Sequence, residues 1–346
     1  MNMFMEQPEF IEVDDTLGDK NASQSEHGIS ISIGTENQER TYHTLNDGKY
    51  LLPNDEVREA TPPSLVAEAA TAKSSDESDG HQRLDTQHQI QKFILDGKLQ
   101  LSPIPDSFSG NVLDLGTGTG IWATEFASRY PSSTVLGVDL SPINPTFTPP
   151  NCSFRNEDYE EEWKYPAPFS LIYGRALVSC LKDPRQTFAT AYKHLTPGGW
   201  LELNDPIFPF KSQDGSLEEK GKPLLQWSEE AQAGSAKLGR PFADVSKYPA
   251  IMEEVGFVNV TQRMIKVPLS DWPKDKRLKE VGAMNMRHML NTVGALKKIW
   301  TAGLGYSAED ADAFMEKVRS VLIDRKVHAF AVITVVYGQK PNEVQS

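Results

Sequence analysis

The chain is 346 residues long and carries 48 acidic against 35 basic side chains, a formal charge of −13. At about 150 residues per domain the length holds two domains, or one large domain with extensions. The acidic balance argues against a surface built to bind nucleic acid by displacing phosphate counterions, and the two cysteines, Cys152 and Cys180, form no CxxC pair and no disulfide framework.

Met1–Asp15 is acidic and lacks the basic start and apolar run of a signal peptide. The longest apolar run, Ala329–Tyr337, is too short for a membrane helix. No membrane partner is expected, and a cytoplasmic location is.

Residues 1–40 hold nine carboxylates against Lys20 and Arg40, and they read as a disordered acidic tail with an isolated alternating patch at Ile29–Ile33. Residues 41–105 read as an N-terminal cover. Tyr42–Asp55 restores aromatics and leucines, and residues 60–80 read as a linker with a short helix around Leu65–Ala72. Gln82–Leu95 has the spacing of an amphipathic helix, which Asp96-Gly97 stops.

Beyond this point short apolar runs alternate with helices. Strands are expected at Asn111–Leu115, Thr134–Val138, Cys152–Arg155, Phe169–Tyr173 and Trp200–Leu203, with helices at Ile121–Tyr130 and Gln186–Leu195. Such alternation implies a mostly parallel sheet covered on both faces. The rhythm stops after Asn204, so residues 206–248 read as an insert with a helix at Pro223–Leu238. Then come a helix at Tyr248–Val255, a strand at Phe257–Val267 and a Met-rich helical region at Asp275–Trp300. Ser307-Ala308-Glu309-Asp310 matches a capping box that opens a helix with Phe314, Val318, Val321 and Leu322 on one face. A β-branched strand, His328–Tyr337, closes the pattern.

The chemistry concentrates at Val112-Leu113-Asp114-Leu115-Gly116-Thr117-Gly118-Thr119-Gly120, a strand running into a glycine turn and a helix. Glycines allow positive φ and let a ligand touch backbone, and a nucleotide-type ligand is cradled at such a strand end. Gly118-x-Gly120-x-x-Ala123 with Asp139 also fits a dinucleotide fingerprint. Asp114, however, puts a carboxylate where it would hold an ammonium and repel a pyrophosphate. Asn156-Glu157-Asp158-Tyr159 offers an acid to an adenine amino group after the third strand, and Leu195–Leu203 is a helix end, a tight turn and a strand.

The set DLGTGTG, GVDLSP, NEDYEEEW and LTPGGWLEL resembles class I S-adenosylmethionine-dependent methyltransferases, and more narrowly the fungal LaeA-like methyltransferases. The stretches YHTLNDGKYLLPNDE, RLDTQHQIQKFILDGKLQLSPI, VDLSPINPTFTPPNCSF, KLGRPF and VHAFAVITVVYGQKP support it. The resemblance implies a Rossmann-like, doubly wound α/β sheet of seven strands with the last antiparallel. It implies a methyltransferase domain over residues 106–341 with a lid insert at 206–248, and the extra segment around residues 60–80 departs from the pattern.

The resemblance also implies S-adenosyl-L-methionine as cofactor. Asp114 would meet its methionine amino group, and Gly116, Thr117, Gly118 and Gly120 would line the methionine and ribose. Asp139 would chelate the ribose hydroxyls with Leu140 against the adenine, Asp158 and Tyr159 would meet the adenine, and Arg175 would lie near the methionine end.

Methyl transfer from a sulfonium needs alignment and water exclusion more than a triad, so no catalytic residue is required by the pattern. His288 is a candidate general base, with helix packing as its alternative role; His88 and His328 carry the same ambiguity. No histidine pairing suggests a metal site. The acceptor expected is a small metabolite methylated on oxygen in fungal secondary metabolism. The alternative is a nuclear regulator of secondary metabolism that acts through protein partners.

Overall fold

A computed structural model describes residues 10–14, 77–143, 145 and 147–342. The expectations for Ile29–Ile33, Tyr42–Asp55 and Leu65–Ala72 lie outside the described residues. The first described helix, α1 (Glu77–Ile94), starts inside the segment read as a linker. Polar residues and one glycine lower helix propensity by only about 1 kcal/mol, and packing of α1 against α7 (Lys276–Ala295) overrides that.

The seven expected strands form one sheet: β1 (Asn111–Leu115), β2 (Thr134–Asp139), β3 (Cys152–Asn156), β4 (Phe169–Arg175), β5 (Leu195–Lys211), β6 (Val258–Pro268) and β7 (Phe330–Gln339). Their order is β3-β2-β1-β4-β5-β7-β6. The first five run parallel, with Leu113 of β1 opposite Leu136 of β2 and Ile172 of β4. β7 is antiparallel to both β5 and β6. The fold is the Rossmann-like α/β arrangement with the last strand reversed.

Near-continuous apolar runs in β1 and β4 follow from burial of both sheet faces. On one face α2 (Ile121–Arg129) packs Trp122 and Phe126 over Val112, Leu171 and Tyr173. The Trp122 ring stacks on Tyr173 with centroids 3.9 Å apart. On the other face α3 (Pro184–His194) and α6 (Tyr248–Val255) cover Leu113, Leu115 and Ile172 with Phe188, Tyr248 and Met252.

The strand β5 runs past Asn204 to Lys211, so the insert begins later than residue 206: Pro206 pairs with Ile333 and Ile207 with Val332. Pro206 and Pro209 hide this strand in the sequence. They are tolerated because β4 ends with Arg175 opposite Asn204, which leaves the rest of β5 an edge on that side. A short α4 (Ser216–Glu219), α5 (Lys222–Lys237), a π-helical turn at Ile299–Leu304 and α8 (Ala308–Leu322) build a separate core around Trp227, Trp300, Phe314 and Val318. The N-cap half of the capping box forms: Ser307 Oγ accepts from the Asp310 amide at 3.0 Å, while the Asp310 carboxylate accepts from the Ser307 hydroxyl.

Within the segment read as a disordered tail, residues 10–14 are docked. Val13 bridges Pro273, the Asp14 amide donates to the Trp272 carbonyl, and Ile11 is buried against Val267 and Trp272. Two apolar side chains supply the burial, and Lys274 and Lys279 pair with Glu12 and Asp14. Net charge over 40 residues conceals such a local match.

Candidate functional site

The strand β1 ends at Leu115, and the chain turns through Gly116 (φ 62), Gly118 (φ 60) and Gly120 (φ 76) into α2. Positive φ at three alternate positions is a conformation L side chains rarely adopt. A Cβ on Gly116 would also lie 2.6 Å from Leu177 Cδ2, so the loop runs directly beneath the segment after β4. The Thr117 amide donates to the Val138 carbonyl and the Gly118 amide to Asp139 Oδ2, which moor the loop to β2.

Asp139 ends β2, and its other oxygen accepts from the Ser141 amide at 2.9 Å. Asn156 at the end of β3 donates to the carbonyls of Asp139 and Leu140. Asp158 Oδ1 accepts from the Glu160 amide, and Tyr159 is buried beneath. At the end of β4, Arg175 precedes Ala176, whose φ of 56 turns the chain toward Leu177.

These strand ends surround a cleft of about 950 Å³ counted to its open mouth. Of the expected residues, Asp114, Gly116, Thr117, Gly118, Asp139, Leu140, Asp158, Tyr159 and Arg175 all line it. Gly120 does not: it is the N-cap of α2, where a Cβ would collide with Phe154 at 2.7 Å.

His288 does not line the cleft either. It is buried on α7, its Nδ1 donates to the Arg83 carbonyl at 3.2 Å, and Thr292 Oγ1 lies 3.4 Å from Nε2. Burial pushes its pKa down to about 4. It fastens α7 to α1. His328 pairs with Asp214, also outside the cleft lining.

Asp114 is the electrostatic centre of the cleft. The residue is 3% exposed, and its carboxylate accepts from Thr117 Oγ1. Burial pushes its pKa up to about 7, against the opposing pull of Thr117 and Arg175. A desolvated carboxylate of this kind gains most from a cationic partner. The Tyr173 hydroxyl, in the same wall, is buried with no hydrogen-bond partner among the described residues.

Several lining residues carry no sequence signal of their own. Arg83, Leu84 and Gln87 come from α1, which roofs the cleft, and a polar helix face reads as solvent-facing until its neighbour is known. Leu177, Ser179 and Cys180 follow β4; the rule that ligands sit beyond the carboxyl ends of parallel strands could have found them. Glu160, crowded among acids that read as a solvated run, instead accepts from Arg240 Nη1 at 2.7 Å and the Lys182 amide at 2.8 Å. That contact brings the end of the insert to the cleft rim. No described residue of 206–248 or 275–305 lines the cleft itself; their buried apolar side chains pack instead around Trp227 and Trp300, against the sheet through Val245 and Tyr248, and with α1 through Leu278 and Val281.

Residues 86–262 match the protein family described as a methyltransferase domain. A protein described as a probable methyltransferase, tdiE of Emericella nidulans, is 36% identical over 75% of this chain and 81% of its own length. The methyltransferase pytC of Aspergillus terreus is 30% identical over 97% of this chain and 98% of its own. The secondary metabolism regulator LAE1 of Cochliobolus heterostrophus is 28% identical over 88% and 94%.

Proposed function

Because this chain belongs to the methyltransferase-domain family, among its fungal LaeA-like members, we propose that it methylates an acidic oxygen of a small molecule of fungal secondary metabolism. The donor is S-adenosylmethionine. When bound, it would supply an electrophilic methyl carbon: an acceptor oxygen would attack that carbon in line as the carbon–sulfur bond breaks and the thioether S-adenosylhomocysteine leaves.

The cleft is suited to that donor. Gly116 and Gly118 permit backbone approach, and the Asp114 carboxylate takes the amino group of the methionine part. Asp139, at the tip of β2, accepts from the two ribose hydroxyls, since a carboxylate receives up to about four hydrogen bonds. Leu140, Asp158 and Tyr159 flank the adenine, and Arg175 faces the amino-acid end.

The choice of acceptor rests on one observation, the chemistry of the cleft wall. No imidazole is among the described residues that line it, and burial pushes the Cys180 thiol up to about 12. Burial likewise raises the Tyr173 phenol far above its ordinary range. Asp114, at about 7, is engaged by the donor. Among the described lining residues the other carboxylates are committed, Asp139 and Asp158 to the donor and Glu160 to Arg240. Such a wall suits an acceptor that ionises unaided, such as a phenol or a carboxylic acid, for which the protein supplies proximity and desolvation. An aliphatic alcohol would need a base.

The test is incubation of the purified protein with S-adenosylmethionine and a panel of phenols, carboxylic acids and aliphatic alcohols, read by mass gain of one methyl. Methyl esters or aryl methyl ethers are the expected products. Methylation of alcohols alone would overturn the acidic-oxygen assignment. Methylation confined to a protein partner would favour the regulatory role.

A further inference from the structure

We propose that His88 is a positioning residue that holds the Arg175 guanidinium at the amino-acid end of the donor site through a relay anchored on Glu125. The inference rests on the donor assignment above.

His88 lies on α1, is fully buried, and does not line the cleft. Its Nδ1 is 3.0 Å from Arg175 Nη1, and its Nε2 is 3.1 Å from Glu125 Oε2 on α2. A guanidinium has donors only, so Nδ1 accepts and the proton resides on Nε2, which donates to Glu125. Both neighbours demand the same tautomer.

The surrounding charges keep it. Burial, and then the Arg175 charge, push the imidazole pKa down to about 4, so the ring stays a neutral acceptor. Burial alone would raise the Glu125 carboxyl, but hydrogen bonds from Lys92 and His88 outweigh it and hold it below its ordinary value. Lys92 Nζ lies 3.0 Å from that carboxylate. The line from Lys92 through Glu125 and His88 to Arg175 ties α1, α2 and β4 together and ends in the cleft.

Arginine loses rotamer entropy when its side chain is fixed. An acceptor buried behind Arg175 makes that ordering part of folding, so it no longer opposes ligand binding. This explains why a histidine with no access to the cleft occupies a fully buried site between two charged groups.

Two substitutions separate orientation from packing. In His88→Asn the side-chain oxygen takes the place of Nδ1 and still accepts from Arg175. In His88→Gln the amide reaches the place of Nε2, keeps Glu125 and leaves Arg175 without its acceptor. Titration calorimetry with S-adenosylhomocysteine and with 5′-methylthioadenosine, which lacks the amino-acid end, reads the difference.

His88→Gln is expected to bind S-adenosylhomocysteine about tenfold more weakly, with 5′-methylthioadenosine unchanged and His88→Asn near the unsubstituted protein. An Asn variant as weak as the Gln variant or weaker would mean side-chain volume matters, and would overturn the inference. Equal loss for both ligands would do the same. Glu125→Ala, at a partly exposed position, serves if His88→Gln does not fold. It should cost about threefold for S-adenosylhomocysteine alone, and no change would overturn the relay. Unsubstituted protein that bound neither ligand would instead overturn the donor assignment, and the inference with it.

Discussion

The amide of Gly118 donates to Asp139 Oδ2 at 2.9 Å, joining the glycine loop to the tip of β2 across 21 residues of sequence. One carboxylate therefore shapes the loop and lines the cleft. Asp139→Ala removes both functions, and S-adenosylhomocysteine affinity should fall by at least about tenfold. Calorimetry on folded protein checks this, and unchanged affinity would remove Asp139 from the donor site.

Asp114 should trade stability for binding. Its pKa is raised to about 7 in the folded chain and returns to about 3.9 on unfolding. The folded state thus binds the extra proton, and stability is lost as the pH rises through that window. Asp114→Asn should melt higher than the unsubstituted protein at pH 8 without ligand, on the order of 2–5 °C. The advantage should shrink toward pH 5, while S-adenosylhomocysteine binding weakens. A Tm difference that does not change with pH would contradict the assignment.

Gly282 on α7 faces the Ser270 backbone, and a Cβ there would lie 2.1 Å from the Ser270 carbonyl oxygen. Main chain cannot swing aside, so Gly282→Ala should cost about 3 kcal/mol in urea unfolding. At Gly294 the nearest atom is the flexible end of Arg319, at 2.7 Å. Gly294→Ala should be near neutral, because helix propensity offsets the displacement. Equal unfolding midpoints for the two variants would show that α7 can move off the strand end.

The docked segment at residues 10–14 predicts that Ile11→Ala lowers stability by about 2–4 kcal/mol. Its neighbour Phe10 is 54% exposed, and Phe10→Ser should change little. If neither substitution altered the melting temperature, the contact of Ile11 with Trp272 would carry no weight in solution.

The sheet, the glycine loop and the acids at the strand tips are legible in the amino-acid order. Each of these is a local pattern: apolar runs of strand length, glycines at positive-φ turns, and a carboxylate at the end of β1 or β2. The expected carboxylates Asp114, Asp139 and Asp158 therefore line the cleft. The resemblance added the order of motifs that separates this cofactor from a dinucleotide.

Other features depend on contacts between segments far apart in the chain. His88 and Arg175 are 87 residues apart, and Arg240 and Glu160 are 80 apart. A histidine on a polar helix face and a glutamate in an acidic run look solvated until the partner arrives. Tertiary packing also sent His288 to the α1–α7 contact and not to the cleft. It carried β5 to Lys211 because β7 supplied hydrogen-bond partners that Pro206 and Pro209 gave no reason to expect. Local propensity sets which elements form, whereas burial and charge pairing across the fold decide what their side chains do.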